Sequence, residues 1–282
     1  MNDQTDAARA WFEGVEPDEL AQQKAAIRDR TADRPGVWPE TAVERGFVES
    51  AEEYYEQLHR ATVAAAREAV DEREGADDQQ LIHSVRALDD CQRTVNELTE
   101  RVGEWAKSRD PDGAVDIEYL RELAGREPAD PIEERLVALA TRVVELEAEG
   151  QELRTLVEQS ADAVAPNLTA LAGPELTARL LALAGGLEAL AKKPAGTIQV
   201  LGAEDALFAH LRGGAPSPKH GVIFTHEFVR GTPPANRGTA ARALAGKLAI
   251  AARIDYYSGE YRPELEADLA ERMERIRARE EK

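Results

Sequence analysis

A heptad repeat constrains this chain most tightly. Ile132, Leu136, Leu139, Val143, Leu146, Gly150, Leu153 and Val157 follow one another in steps of 4-3-4-3-4-3-4, with Glu, Arg and Gln between them. A stripe of that period keeps one face of an α-helix in register with a partner helix for over three repeats. Pro131 suits the first turn of such a helix, so the spacing predicts a helix from about Pro131 to Ala163. A second stripe lies upstream. Leu81, Val85, Leu88, Val95, Val102 and Ala106, widened by Ile82, Leu98 and Trp105, predict a helix from Asp77 to Lys107. The segment between the two is rich in turn residues, with one short helical run over Ile117–Ala124. Two helices of about 30 residues joined this way are expected to fold back as an antiparallel coiled-coil hairpin. The same stripe equally suits a bundle core.

Composition changes on either side of this element. Residues 1–165 carry 19 Lys+Arg against 40 Asp+Glu, whereas 166–261 carry 10 against 7. The formal charge of -19 therefore sits in the first half, where Lys24 and Lys107 are the only lysines. An acid-rich, lysine-poor surface is expected of a protein adapted to a very salty cytoplasm. A net acidic chain disfavours polyanions as a whole, and only the locally basic second half is suited to one.

Residues 1–75 are interrupted by Pro17, Pro35 and Pro39 and are expected to form a small N-terminal domain, α or α/β. Within it Ser50 and Glu53 have the spacing of a helix-start capping box for a helix over Ser50–Val70. The first residues, MNDQTDAARAWFEG, have neither the basic start nor the apolar core of a leader peptide. No run of 18 apolar residues suggests a membrane span, and a cytoplasmic location is expected. After residue 164, Ala, Leu and Gly dominate. TIQVLG (197–202) reads as a strand or buried turn, 203–212 as a helix, and 215–236 as a long loop with four prolines around an apolar VIF centre. Residues 237–258 read as a strong helix, and 259–282 as a charged, solvated helical tail.

Enzymatic signatures are missing. Ala245-Gly246-Lys247-Leu248 lacks the upstream glycine and the Ser/Thr of a phosphate loop, and His226-Glu227 does not open a zinc-binding helix motif. Cys91 is the lone thiol, which excludes an internal disulfide and a cysteine-based zinc site. His210, His220 and His226 read as loop or surface histidines rather than metal ligands. No catalytic residue, metal or cofactor is expected. Lys219, His220, Arg237, Arg242 and Lys247 offer cations on a loop and one helix, suited to phosphates or to ordinary solubility.

Longer strings decide between these. APNLTALAGPELTARLLALAGGLEALAKKPAGTIQVLGAEDALFAHL (165–211), PKHGVIF (218–224) and RGTAARALAGKLAIAARID (237–255) closely resemble the Nop domain. ALDDCQRTVNELTERVGEW (87–105) resembles the first coiled-coil helix of the same family. The chain is thereby similar to archaeal Nop-domain scaffold proteins of the box C/D guide ribonucleoprotein. The resemblance covers about residues 76–258 and implies a mainly α fold: a small N-terminal domain, a coiled-coil hairpin, and a C-terminal α-helical Nop domain over 164–258. It implies no catalysis by the chain itself. Its implied partners are a second copy, held through the coiled coil, a box C/D guide RNA with the ribosomal-type protein on its kink-turn, and fibrillarin. Fibrillarin is the S-adenosylmethionine-dependent 2′-O-methyltransferase, and it would be held by the N-terminal domain, which is short for this family. The RNA-facing residues implied are Lys219 and His220 in the PKHG loop, Arg237, Arg242 and Lys247 on the helix, Gly202 in the LGAE turn, and Lys192. Asp205, Ala209 and Glu227 stand where the family commonly carries a basic residue, a basic residue and proline. Each lowers local positive charge, in keeping with a salty host. The alternative is a coiled-coil adaptor that binds proteins and no RNA.

Overall fold

The computed structural model describes residues 10–29, 36–111 and 113–278, and the residues it describes contain helices and no strand. The leader-peptide reading concerns a segment of which residues 1–9 lie outside the described residues. The contacts divide the chain into two compact units, Met1–Ala76 and Asp77–Lys282.

In the first unit, α1 (Leu20–Asp29) and α2 (Trp38–Glu44) pack on α3 (Ala51–Glu74). Ser50 caps α3 as its spacing predicts: its hydroxyl accepts from the Glu53 amide at 3.1 Å, and the Glu53 carboxylate accepts from the Glu49 amide at 2.6 Å. The core is a knot of aromatic rings, Trp11, Phe12, Phe47 and Tyr54, with the Trp11 indole donating to the Tyr54 hydroxyl at 3.2 Å. Lys24 pairs with Glu68, and Arg28 grips Glu72 with two bonds of 2.9 and 2.8 Å, tying α1 to α3. Of the two expectations for this domain, α or α/β, its described residues are α.

The second unit is built on the two long helices, α4 (Asp77–Lys107) and α6 (Pro131–Val164), with α5 (Ile117–Ala124) between them. Asp130 starts α6, accepting from the amides of Ile132 and Glu133 at 2.8 and 2.9 Å, with Pro131 in the first turn. The helices run antiparallel: Leu81 and Val85 share a core with Val157 and Ala161, Gly150 lies opposite Cys91, and Val102 and Ala106 share a core with Leu136 and Ala140. The buried stripe on α6 differs from the heptad in one respect. Leu136, Val143, Gly150 and Val157 are buried, joined by Ala140 and Ala161, while Leu146 and Leu153 are half-buried and Ile132 and Leu139 are exposed. Within one chain α6 faces a single long partner, so half of its heptad lies at the centre of the contact and half on the flank.

The base of this hairpin is embedded in a helical domain made of α7 (Pro166–Ala172), α8 (Pro174–Ala184), α9 (Leu187–Lys192), α10 (Ala195–Val200), α11 (Glu204–Leu211), α12 (Glu227–Arg230), α13 (Arg237–Tyr257) and α14 (Glu264–Arg277). Arg179 on α8 reaches Asp89 on α4 at 2.6 Å. α13 is the central rod. Its alanines and leucines are buried on most sides, and α7, α9, α10, α12 and α14 all lie against it. Three expectations need correction. Segment 215–236 is not loop throughout: Val222–Thr225 form a 3-10 turn and Glu227–Arg230 form α12. TIQVLG is neither strand nor simple turn: residues 195–200 form α10, because packing of Ile198 against the core overrides a β-branched local preference. Segment 259–282 is not a solvated tail over its described part. α14 buries Leu265, Leu269, Met273 and Ile276, whose 4-4-3 spacing makes one apolar face within a charged sequence.

Candidate nucleic-acid interface

The PKHG loop is held by backbone pairing against the α10–α11 turn. The Gly221 amide donates to the Gln199 carbonyl at 2.9 Å and the Val222 amide to the Leu201 carbonyl at 2.7 Å. The Gln199 side-chain amide, nearly buried, donates to the Lys219 carbonyl at 2.7 Å. Gly221 has no alternative here, because a Cβ would stand 1.9 Å from the Leu201 carbonyl oxygen. Gly202, on the facing turn, has φ +80 and its amide donates to the Glu204 carboxylate at 2.8 Å.

So fixed, the loop delivers its side chains to the start of α13. The stem of Lys219 runs past Gly238, where a Cβ would come within 3.7 Å of it. The His220 ring stacks on Phe224, with centroids 4.6 Å apart and planes 20° apart. The Arg237 guanidinium lies 5.4 Å from the centroid of that same ring, and its Nε donates to the Thr232 carbonyl at 2.9 Å. Burial, then the Arg237 charge, lowers the His220 pKa, so the ring is neutral at pH 7 and keeps both a donor and an acceptor. The Lys219 stem and Arg237 thus both lie at the N-terminal end of α13, where the helix dipole is positive. The ensemble suits a phosphate with a base or ribose edge beside it.

The other expected residues fall elsewhere. Arg242 is exposed on α13, about 7.5 Å further along the axis, with no ion-pair partner among the described residues. Lys247 is turned toward α14, where it pairs with Asp268 at 2.8 Å. Lys192 ends α9 and pairs with Glu188 at 2.5 Å. It lies near Tyr256 and Tyr257, at the opposite end of α13 from Arg237. Phe224, Gln199 and Gly221 went unnamed in the sequence reading. An amide inside the apolar TIQVLG run was the one available hint of Gln199. Among the described residues no group of three or more His, Cys, Asp or Glu is placed to hold a metal ion, and no helix is long and apolar enough to cross a membrane.

Residues 82–276 match the family model described as Nop, snoRNA binding domain, fibrillarin. An uncharacterized NOP5 family protein of Methanocaldococcus jannaschii is 35% identical over 272 residues, covering 83% of this chain and 66% of that protein. Nucleolar protein 56 of Caenorhabditis elegans is 40% identical over 142 residues, covering 50% of this chain and 29% of that protein. The chain therefore spans less than two thirds of the length of these relatives. Among solved structures, a chain from a crystal structure titled fibrillarin/Nop5p complex superposes with TM-score 0.53 at 29% identity, covering 90% of this chain and 92% of that one.

Proposed function

We propose that this chain, which belongs to the Nop family, is a non-catalytic scaffold of an archaeal box C/D ribonucleoprotein. In this role the Lys219–His220–Arg237 cluster grips the backbone of a guide RNA beside the protein bound to its kink-turn. The unit Met1–Ala76 holds fibrillarin for 2′-O-methylation of rRNA or tRNA ribose. The observation that carries the proposal is the convergence of His220 and Arg237 on the Phe224 ring, with the Lys219 stem alongside Gly238 at the start of α13. Sequence selection in such a particle belongs to guide–target pairing, so the scaffold needs shape and phosphate contacts alone. A few cations suffice when a second protein shares the RNA, which is compatible with an acidic chain in a salty cytoplasm. Arg242 lies further along α13 and about 140° round it from Arg237, free to meet the RNA backbone separately, and Gly202 shapes the turn that faces the loop. Lys247 and Lys192, each paired with a carboxylate, stand outside it. Pairing of two copies through the hairpin is supported by the exposed half-heptad, Ile132 and Leu139.

Reconstitution tests the proposal. With a box C/D guide RNA and the kink-turn protein in molar KCl, the chain should give a shifted ternary complex that recruits fibrillarin. Lys219→Ala with Arg237→Ala should weaken that complex while the sedimentation mass of the free protein stays that of a dimer. Absence of a shift with the partner bound overturns the RNA role and leaves a protein-only adaptor.

A further inference from the structure

Half of the chain's six tyrosines, Tyr256, Tyr257 and Tyr261, fall within six residues at the far end of α13 from the cluster above. None is a core residue: they are 39%, 68% and 53% exposed. The backbone beneath them is nonetheless fixed. The Asp255 carboxylate, buried, accepts from the Asn167 and Leu168 amides at 3.1 and 2.9 Å and from the Asn167 side chain at 2.6 Å. Asn167 in turn donates to the Glu260 carbonyl at 2.9 Å and accepts from the Arg262 amide at 2.7 Å, which clamps the segment that carries Tyr261. Arg253 donates to the carbonyls of Ala191 and Lys193, at 3.2 and 3.3 Å, and so holds the Lys192-Lys193 turn beside the tyrosines. Tyr256 and Tyr257 meet edge to face with centroids 4.8 Å apart, and the Tyr256 hydroxyl reaches Glu188.

We infer that this surface is a second RNA contact, a stacking platform for unpaired nucleotides of the RNA gripped at the other end of α13. Exposed rings on a braced backbone offer base-stacking area with little ordering cost, and stacking tolerates any base. The charges around them suit a polyanion. Lys192, Lys193, Arg253 and Arg262 stand against Glu188, Glu260 and the buried Asp255, a local balance of +1 in a chain of -19. Stacking also needs no counterion release, so it keeps its strength in the salt that weakens phosphate contacts. Arg237 and Arg253 are about 24 Å apart along the helix axis, so one RNA strand leaving the first contact can reach the second. This inference rests on the RNA-binding role proposed above and adds a site to it.

The test uses the full chain, the kink-turn protein, and a kink-turn RNA carrying a single-stranded tail of about 12 nucleotides. 4-Thiouridine is placed either in the kink or in the tail, and crosslinked peptides are mapped. Tail crosslinks should fall within 254–262. Tyr256→Ala with Tyr257→Ala should weaken binding of the tailed RNA about tenfold, leave the tailless RNA unchanged and leave the salt dependence unaltered. The paired Phe substitutions should retain the gain from the tail, and thermal melts check that each variant is folded. Kink crosslinks within 218–242 without tail crosslinks at 254–262 overturn the platform and leave the proposed function standing. Absence of both overturns both. If the Ala variants lose capture of the kink-turn protein without RNA, the surface serves a protein and the inference is wrong.

Discussion

Gly221→Ala tests how the candidate interface is built. A Cβ at 221 would sit 1.9 Å from the Leu201 carbonyl oxygen, more than 1 Å inside the 3.0 Å that real Cβ atoms respect, and the opposing group is backbone rather than a pliable side chain. The loop must lift, and with it go the bonds from Gly221 to Gln199 and from Val222 to Leu201. At roughly 0.5–1.5 kcal/mol net for each bond, and with water free to replace them at the surface, the expected loss of stability is about 1–3 kcal/mol. The second unit should survive that loss, because most of its core around α13 lies outside the loop, although Ile223, two residues on, is part of it. Binding should suffer more. A shift of about 1 Å separates Lys219 and His220 from Arg237, and a contact built on joint positioning loses the phosphate as a whole. Urea unfolding followed by helical signal gives the stability term, and fluorescence anisotropy with kink-turn RNA and its bound protein gives the affinity. Loss of affinity well beyond the loss of stability is expected. Wild-type affinity in a stably folded variant would refute the claim that the 218–222 loop places the RNA-contacting groups.

Other residues give independent expectations. Asp255→Ala strands the Asn167 and Leu168 amides in a buried site, at about 1–3 kcal/mol each, so urea unfolding should show a loss of about 2–6 kcal/mol and proteolysis should quicken near Tyr261. His226 accepts from the Phe228 amide at 3.1 Å, and its other ring nitrogen bonds the Leu171 carbonyl at 3.0 Å. Burial lowers its pKa, so the unfolded chain takes up this proton first as pH falls: the histidine's stabilising contribution is complete above about 6.5 and declines as pH drops toward the depressed folded value. Melting points from pH 8 to 5 should therefore fall more steeply for the wild type than for His226→Gln. Lys247→Ala breaks a half-exposed pair with Asp268, so a stability change of at most about 1 kcal/mol is expected, with RNA affinity unchanged. A drop in affinity of tenfold would return Lys247 to the RNA surface.

The long helices were legible because their periodicity extends over many turns and their starts carry explicit chemistry, Ser50 with Glu53 and Asp130 with Pro131. α10 was not, since six residues are too few to reveal a period and its helix exists through packing on α13. α14 carried a readable 4-4-3 spacing, outweighed by its charge until the helix is seen folded onto α13. That same folding explains Lys247: its ion pair is made to a residue 21 positions away, which no local pattern announces. The candidate interface was legible in part. Lys219, His220 and Arg237 stood out through the family motif, and the structure brings them together. Phe224, Gln199 and Gly221 matter through contacts between segments far apart in sequence. The heptad announced a helix pair and left open which half of its stripe a single chain would bury.

The most direct measurement of the central claim is the salt dependence of binding to the protein-loaded kink-turn RNA, for the wild type, Lys219→Ala and Arg237→Ala. If each cation neutralises a phosphate, each substitution should weaken binding and lower the slope of log affinity against log salt by about one unit. Slopes and affinities equal to those of the wild type would contradict the account.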